Sequence, residues 1–190
     1  LNLEQKGHFY FLKDLILIHQ NKIKELIYLG EQVYKESEKL NEHLQSFDGL
    51  YLILIGLCLA FKFDEAFKRI QKAEVLLGLI SNRSKTILIQ REVRLSSIKA
   101  WINLEIGNVD LAEKCLERSL GLDKELGNTF EIVWVYTLMS RIMFRGKSRY
   151  NLAIEYSKKA ISRAKEIKFN HFWIALNYNY LGVYHPPHRS

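Results

Sequence analysis

Four segments of this chain align with one another without gaps, which is the signature of a fold built from repeated units. Each segment has a small or aliphatic residue at its second and ninth positions, and each ends on leucine or isoleucine. These final residues lie 40, 46 and 41 positions apart. Both prolines, Pro186 and Pro187, follow the last segment, so none breaks a helical interior. The segments are residues 25–40, 65–80, 111–126 and 152–167.

The residues that precede each segment complete a helical hairpin. Residues 100–112 read as the end of one helix, a stop at Gly107, and the start of the next helix. Residues 136–153 and 54–66 repeat this order, and Phe61 replaces the glycine in the latter. Small side chains allow the two helices of a hairpin to approach closely. We therefore predict an all-α fold of stacked hairpins; the alternative is a non-repetitive helical bundle with coincidental alanine spacing.

The predicted domain covers residues 1–190 as a single array, and we expect it to be a piece of a longer protein. Its hairpins are predicted at about 3–42, 47–80, 86–127 and 129–168, with an unpaired terminal helix at about 170–184. First helices are expected near 3–20, 47–61, 86–106 and 129–145, and second helices near 22–42, 64–80, 109–127 and 150–168.

The small residues and the turn resemble the tetratricopeptide repeat (TPR) family over nearly the whole chain. The matching residues are Ala100, Gly107, Val109 and Ala112 for the hairpin, and Ala66, Ala73, Ala153 and Ala160 for the second helix. The long period is similar to the long-helix subtype of that family. The resemblance implies a right-handed α-α superhelix, a TPR-like solenoid. Its first helices would line a concave groove that binds a peptide or a partner helix without catalysis.

The family's groove positions, carried onto this sequence, give candidate partner-binding residues. Large aromatic residues beside arginines are typical of interface hot spots. The main candidates are Tyr51, Arg94, Trp101, Trp134, Arg141 and Arg145. Further groove positions are Asp48, Ile55, Ser97, Glu105, Thr137, Leu176 and Asn179. The alternative for Trp101 and Trp134 is a place in the core between repeats. The clamp with which some relatives hold a C-terminal carboxylate is absent, so binding of chaperone tails is disfavoured.

Positive charge is concentrated in the fourth hairpin. Residues 141–170 contain nine basic and two acidic side chains, an excess equal to the chain's formal net charge of +7. This patch attracts acidic peptides, phosphates or nucleic acid, so binding of nucleic acid or of an acidic partner is the alternative function. The competing explanation is a solvated outer wall. The patch includes Lys147, Arg149, Lys158, Lys159 and Arg163.

The sequence contains no residue pattern typical of catalysis, of cofactor binding or of a metal site. Residues 146–148 lack the earlier glycine and the preceding strand of a phosphate-binding loop. His185 and His188 lack further ligands at helical spacing. Cys58 and Cys115 lie in apolar helical stretches and are expected to be reduced thiols. We therefore predict a non-enzymatic protein with no cofactor and no bound metal.

The expected location is the cytoplasm, without a membrane partner. No secretory signal is visible, and the apolar run 50–61 is too short to cross a bilayer. The expected partner is a protein or a peptide. The terminal helix at 170–184 has no helix after it in this chain, and an open end of this kind tends to pair with a second copy or with further residues.

Overall fold

The computed structural model describes residues 13, 16–18, 20–126, 129–167 and 171–184. Every regular element in these ranges is a helix, and no strand occurs in them. The all-α prediction is therefore confirmed. The chain forms two compact units, unit 1 of residues 1–98 and unit 2 of residues 99–190. The single array predicted over the whole chain stays a prediction.

Three consecutive helices of unit 1 have equal length and equal spacing. Helices α1 (Ile23–Lys39), α2 (His43–Leu59) and α3 (Phe63–Leu79) each contain 17 residues, and their first residues lie 20 positions apart. Helix α2 packs against both α1 and α3. It is buried along most of its length because its sequence is apolar on nearly every side. Helix α4 (Lys85–Glu105) begins in unit 1 and ends in unit 2.

The turns that end these helices share one hydrogen-bond pattern. After α1, the Asn41 N–H donates to the Glu38 carbonyl at 3.2 Å, and the Glu42 N–H donates to the Ser37 carbonyl at 2.9 Å. The same two bonds close the turns at residues 20–22, 60–62 and 106–108. The central residue of each turn has φ between 54° and 89°, the left-handed region that ends helices in this way. These residues are Asn21, Asn41, Phe61 and Gly107.

Helices α1 and α2 approach each other at a crossing that two glycines make possible. A Cβ added to Gly30 would lie 2.8 Å from the carbonyl oxygen of Gly49 and 2.9 Å from the backbone nitrogen of Ile53. A Cβ added to Gly49 would lie 2.7 Å from the backbone nitrogen of Tyr34. Because ordinary contacts of carbon atoms are about 3.5–4.0 Å, any larger side chain at either position would force the helices apart.

Unit 2 contains the end of α4 and the helices that follow it. These are α5 (Val109–Gly121), α6 (Asp123–Leu126), α7 (Phe130–Arg141), a π-helical turn (Ile142–Gly146), α8 (Tyr150–Glu166) and α9 (His171–Tyr184). Helix α8 packs against both α7 and α9. Three of the small residues of the aligned segments, Ala112, Ala153 and Ala160, are fully buried. Gly146 lies against the side chain of Val109, which leaves no room for a Cβ.

Apart from the end of α5, at Gly121, the helix boundaries agree with the predicted ones to within four residues where the structure describes them. Helix α2 begins at His43, four residues before the predicted start. The second helix predicted near 109–127 is divided into α5 and α6, and the first helix predicted near 129–145 ends in the π-helical turn. Phe61 occupies the position of the turn glycine, as predicted, with φ of 58°. Most of the helix predicted near 3–20, and His185 and His188, lie outside the described residues.

Candidate functional site

Three tryptophans from different helices form a contact ladder in unit 2. The ring centroids of Trp101 on α4 and Trp134 on α7 are 5.5 Å apart, and those of Trp134 and Trp173 on α9 are 4.7 Å apart. All of these pairs have the edge-to-face geometry that aromatic rings prefer. Trp173 is buried, whereas Trp101 and Trp134 are half-buried. The two predicted groove tryptophans therefore pack on each other and still present part of their surface to solvent.

A buried hydrogen bond fixes α7 to α9 about one helical turn beyond the ladder. The Asn177 Nδ2 donates to the Thr137 Oγ1 at 3.0 Å, and both side chains are fully buried. The same Nδ2 donates to the Trp173 carbonyl at 2.9 Å, and the Thr137 hydroxyl donates to the Val133 carbonyl at 2.8 Å. Because most buried polar groups are hydrogen-bonded, the bond between Asn177 and Thr137 favours this alignment of the two helices.

Two arginines share one carboxylate at the far end of the same helices. Glu105 on α4 accepts a hydrogen bond from the Arg141 Nη2. It also accepts two from the Arg145 Nη1, at 3.0 and 3.2 Å. The side chains of Glu105 and Arg141 are 13% and 14% exposed, whereas that of Arg145 is 50% exposed. The cluster retains one net positive charge, and its accessible part is the Arg145 guanidinium.

The candidate groove residues of unit 1 form a second cluster, which is more deeply buried. Asp48 on α2 accepts hydrogen bonds from Arg91 of α4, to Oδ1 from Nε at 3.1 Å and to Oδ2 from Nη2 at 2.9 Å. The Arg94 Nη1 lies 3.6 Å from Asp48 Oδ1, and its guanidinium carbon lies 5.5 Å from the centre of the Tyr51 ring. Tyr51 is itself buried.

Arg91 was not among the residues singled out from the sequence. Its position three residues before Arg94, on the same face of a helix, is the one signal that could have indicated it. Of the remaining groove positions, Ser97 is fully buried, Ile55 and Leu176 are half-buried, and Asn179 is exposed. The structure therefore leaves more of the candidate surface accessible in unit 2 than in unit 1.

The basic patch is partly neutralised by acidic residues of unit 2. The Lys147 Nζ lies 2.9 Å from a carboxylate oxygen of Asp110 and 2.5 Å from one of Glu113, and these hydrogen bonds raise the pKa of Lys147 above its ordinary value. Lys159 pairs with Glu155 at 2.7 Å, and Arg163 pairs with Glu166 at 2.9 Å. Arg149 and Lys158 are exposed, and neither has a carboxylate within 4.0 Å in the part of the chain that the structure describes.

The terminal helix α9 has one buried face and one exposed face without charge. Its sequence, residues 171–184, contains no acidic, lysine or arginine residue. The Tyr184 hydroxyl is 2.8 Å from the Ser140 Oγ, which is 2.7 Å from the Ser157 Oγ. Burial raises the pKa of Tyr184. On the other face Tyr178 and Val183 are 51% and 52% exposed. The hydrogen-bonded hydroxyl groups of Tyr184, Ser140 and Ser157 join the end of α9 to α7 and α8.

Groups that could support catalysis by a metal ion are not assembled in the described ranges. No cluster of three or more histidine, cysteine, aspartate or glutamate side chains suited to a metal ion occurs among these residues. Cys58 is buried and Cys115 is half-buried. None of the helices within the described ranges combines the length and the apolar character needed to cross a membrane. The arrangement offers aromatic surface and positive charge, which are features for binding.

No protein-family model matches the chain, and neither a curated protein nor a solved structure matches it.

Proposed function

We propose that this chain is a non-enzymatic protein-interaction module with a TPR-like superhelical arrangement of hairpins. Its binding face in unit 2 consists of Trp101, Trp134, Arg141 and Arg145. The observation that carries this proposal is the half-buried tryptophan ladder, placed on the same helices as a cluster with surplus positive charge. Aromatic residues and arginine are the types most enriched at the centres of protein interfaces.

The physical features of this face favour an acidic peptide or helix as the partner. The two half-buried indoles can cover an apolar side chain and bury further surface at little entropic cost, because their rings are already held by each other. The Arg145 guanidinium is half exposed and shares Glu105 with Arg141, so it retains donors for a carboxylate of the partner. A partner segment with an apolar side chain followed by an acidic residue would contact both the indoles and the Arg145 guanidinium.

A capture experiment with matched variants tests this proposal. Immobilised wild-type chain is compared with Arg145→Glu and with the variant in which Trp101, Trp134, Arg141 and Arg145 are all alanine, and bound proteins are quantified. We expect both variants to lose the partners that the wild type retains. The control is Lys24→Glu, which changes an exposed lysine of unit 1 by the same charge as Arg145→Glu. Circular dichroism verifies that helical content is unchanged.

Two outcomes of the capture experiment would contradict this function. Equal recovery of the same partners by the wild type and by the quadruple variant would show that the tryptophan face does not bind them. If only the quadruple variant loses the partners and Arg145→Glu keeps them, the result would support binding by the tryptophans and would reject an acidic partner. Arg145→Glu replaces a half-exposed side chain but places a second carboxylate beside Glu105, so the comparison depends on the variant retaining the wild-type helical content.

Binding of nucleic acid is the second candidate function. It is favoured by the exposed and unpaired positions of Arg149 and Lys158 in the described residues, and opposed by the ion pairs of Lys147, Lys159 and Arg163. The test is a gel-shift titration with duplex DNA and single-stranded RNA at several salt concentrations. Binding through phosphates of a duplex predicts a log–log slope of about −0.9 per phosphate contacted. No retention at low salt would reject this candidate.

A further inference from the structure

In unit 1, helix α3 forms ion pairs with α1, the helix two places before it along the chain. Helix α3 packs against α2 and reaches α1 through two ion pairs. The Arg69 Nη1 lies 2.8 Å from Glu31 Oε1, and the Lys72 Nζ lies 3.0 Å from Glu38 Oε1. Basic residues three positions apart on α3 therefore meet acidic residues seven positions apart on α1. The long side chains of arginine and lysine bridge this difference in spacing.

The corresponding positions of α8 carry the opposite charge. When residues 25–40 are aligned with residues 152–167, Glu31 and Glu38 coincide with Lys158 and Lys165. Both lysines are exposed, and neither has a carboxylate within 4.0 Å among the described residues. The Lys165 Nζ is instead 3.3 Å from the Tyr178 hydroxyl of α9. The other two aligned segments have no pair of like charges at these positions.

The exposed face of α9 contacts Lys165 through Tyr178 and contains two small residues, Ala175 and Gly182. Its exposed residues are Ala175, Tyr178, Asn179, Gly182 and Val183. A Cβ added to Gly182 would meet no atom within 4 Å, so a backbone can approach there. When α9 and α2 are aligned by their first histidines, Ala175, Tyr178 and Gly182 coincide with three residues of α2 that are 1% exposed. Those residues are Phe47, Leu50 and Leu54.

We propose that the seam between α8 and α9 is a docking site for a helix of a partner protein. This helix carries two carboxylates three or four residues apart on one flank, which pair with Lys158 and Lys165. Its apolar face covers Tyr178, Gly182 and Val183. A second copy of this chain does not fit the seam in the same way. A symmetric pairing of α9 with α9 would bring Lys158 and Lys165 of both copies to the same seam, and these like charges repel one another. The proposal assigns a surface separate from the tryptophan face.

A selection from displayed helices tests this docking site with the full 190-residue chain. The library is an amphipathic helix of about five turns, long enough to cover α9. Its flanking positions vary among acidic, basic and neutral residues. We expect acidic pairs three or four residues apart to be enriched about tenfold over basic pairs, from two partly exposed ion pairs. The same library is applied to the double variant Lys158→Glu and Lys165→Glu, for which basic pairs are expected.

The matched control is the double variant Lys24→Glu and Lys68→Glu, which makes the same change in net charge on exposed residues of unit 1. It is expected to select the same acidic helices as the wild type. Both proteins carry Arg145→Glu in this comparison, so that acidic helices bound at the tryptophan face do not contribute. Enrichment of the same helices with and without the Lys158 and Lys165 exchanges would then overturn the proposal. So would the absence of any enriched helix, or sedimentation that shows dimers which Val183→Glu dissociates, since a second copy would then occupy the seam.

Discussion

The crossing of α1 and α2 provides a direct test of how closely these helices pack. Replacing Gly30 by alanine would place a methyl group 2.8 Å from the Gly49 carbonyl oxygen and 2.8 Å from the Ile53 Cγ1. The carbonyl belongs to the backbone of a buried helix and cannot move without separating α1 from α2. Overpacking of this kind costs about 1–3 kcal/mol, while alanine gains up to about 1 kcal/mol of helix propensity over glycine. We expect net destabilisation of up to about 2 kcal/mol.

Gly78 of α3 is the matched control for this prediction. It also lies in a helix, but a Cβ added there would meet no atom within 4 Å. The Gly78→Ala variant therefore gains helix propensity without overpacking, and we expect it to be more stable than the wild type by up to about 1 kcal/mol. The two variants differ in sign although the chemical change is identical. Because the gain in helix propensity is common to both variants, their expected separation is the overpacking cost of about 1–3 kcal/mol.

Urea denaturation followed by circular dichroism at the helical band measures both variants. A changed midpoint with an unchanged slope reports a change in the free energy of unfolding. For a chain of this size the melting temperature shifts by about 2–4 °C per kcal/mol, so the two variants differ clearly in thermal melting as well. If Gly30→Ala stabilised the chain as much as Gly78→Ala does, the close approach of α1 and α2 would be refuted.

Three further predictions concern a turn, a surface carboxylate and a buried hydroxyl network. Phe61→Asn is expected to stabilise the chain by about 1 kcal/mol in urea denaturation, because asparagine tolerates a left-handed φ better than phenylalanine does. The Phe61 side chain is 79% exposed, so the exchange leaves the core intact. An unchanged free energy of unfolding would contradict backbone strain at this position. Hydrogen bonds from Tyr34 and Lys72 lower the pKa of Glu38 below 4.5, so its contribution is present above pH 4.5 and is lost as the pH falls. Stability should therefore decrease less steeply below that pH in Glu38→Gln, and equal slopes would contradict this. Tyr184→Phe should cost about 1 kcal/mol by urea denaturation, and a neutral result would exclude a stabilising bond to Ser140.

The helical elements could be predicted from the sequence because each carries local signals. The gapless alignment and the absence of internal proline indicate helices, and the turn at Gly107 appears directly as a glycine. The replacement of that glycine by Phe61 could be inferred only from the position of the neighbouring helices. The π-helical turn at Ile142–Gly146 could not be predicted, because no local sequence pattern marks it, and neither could the contact of Gly146 with Val109.

The candidate site was less accessible to sequence reasoning, because charged residues do not reveal their partners. Arg141 and Arg145 were predicted on one face, and the structure shows that both bind Glu105. Lys147 belongs to a basic segment, yet two carboxylates from a helix more than thirty residues earlier hold it. Long-range pairing of this kind follows from tertiary packing. Periodicity indicates which face a residue occupies, but it does not tell which charge lies opposite.

The equal spacing of α1, α2 and α3 determines which changes of length such a chain tolerates. One helix with its turn occupies 20 residues, and the turns after α1 and α2 close with the same two hydrogen bonds. Insertion of one such module would leave every turn intact but reverse the direction of all helices that follow it. Insertion of two modules would restore the direction. The geometry of the turn therefore repeats with every helix. The direction of the helix repeats only with every second helix, and so does the pairing of buried faces.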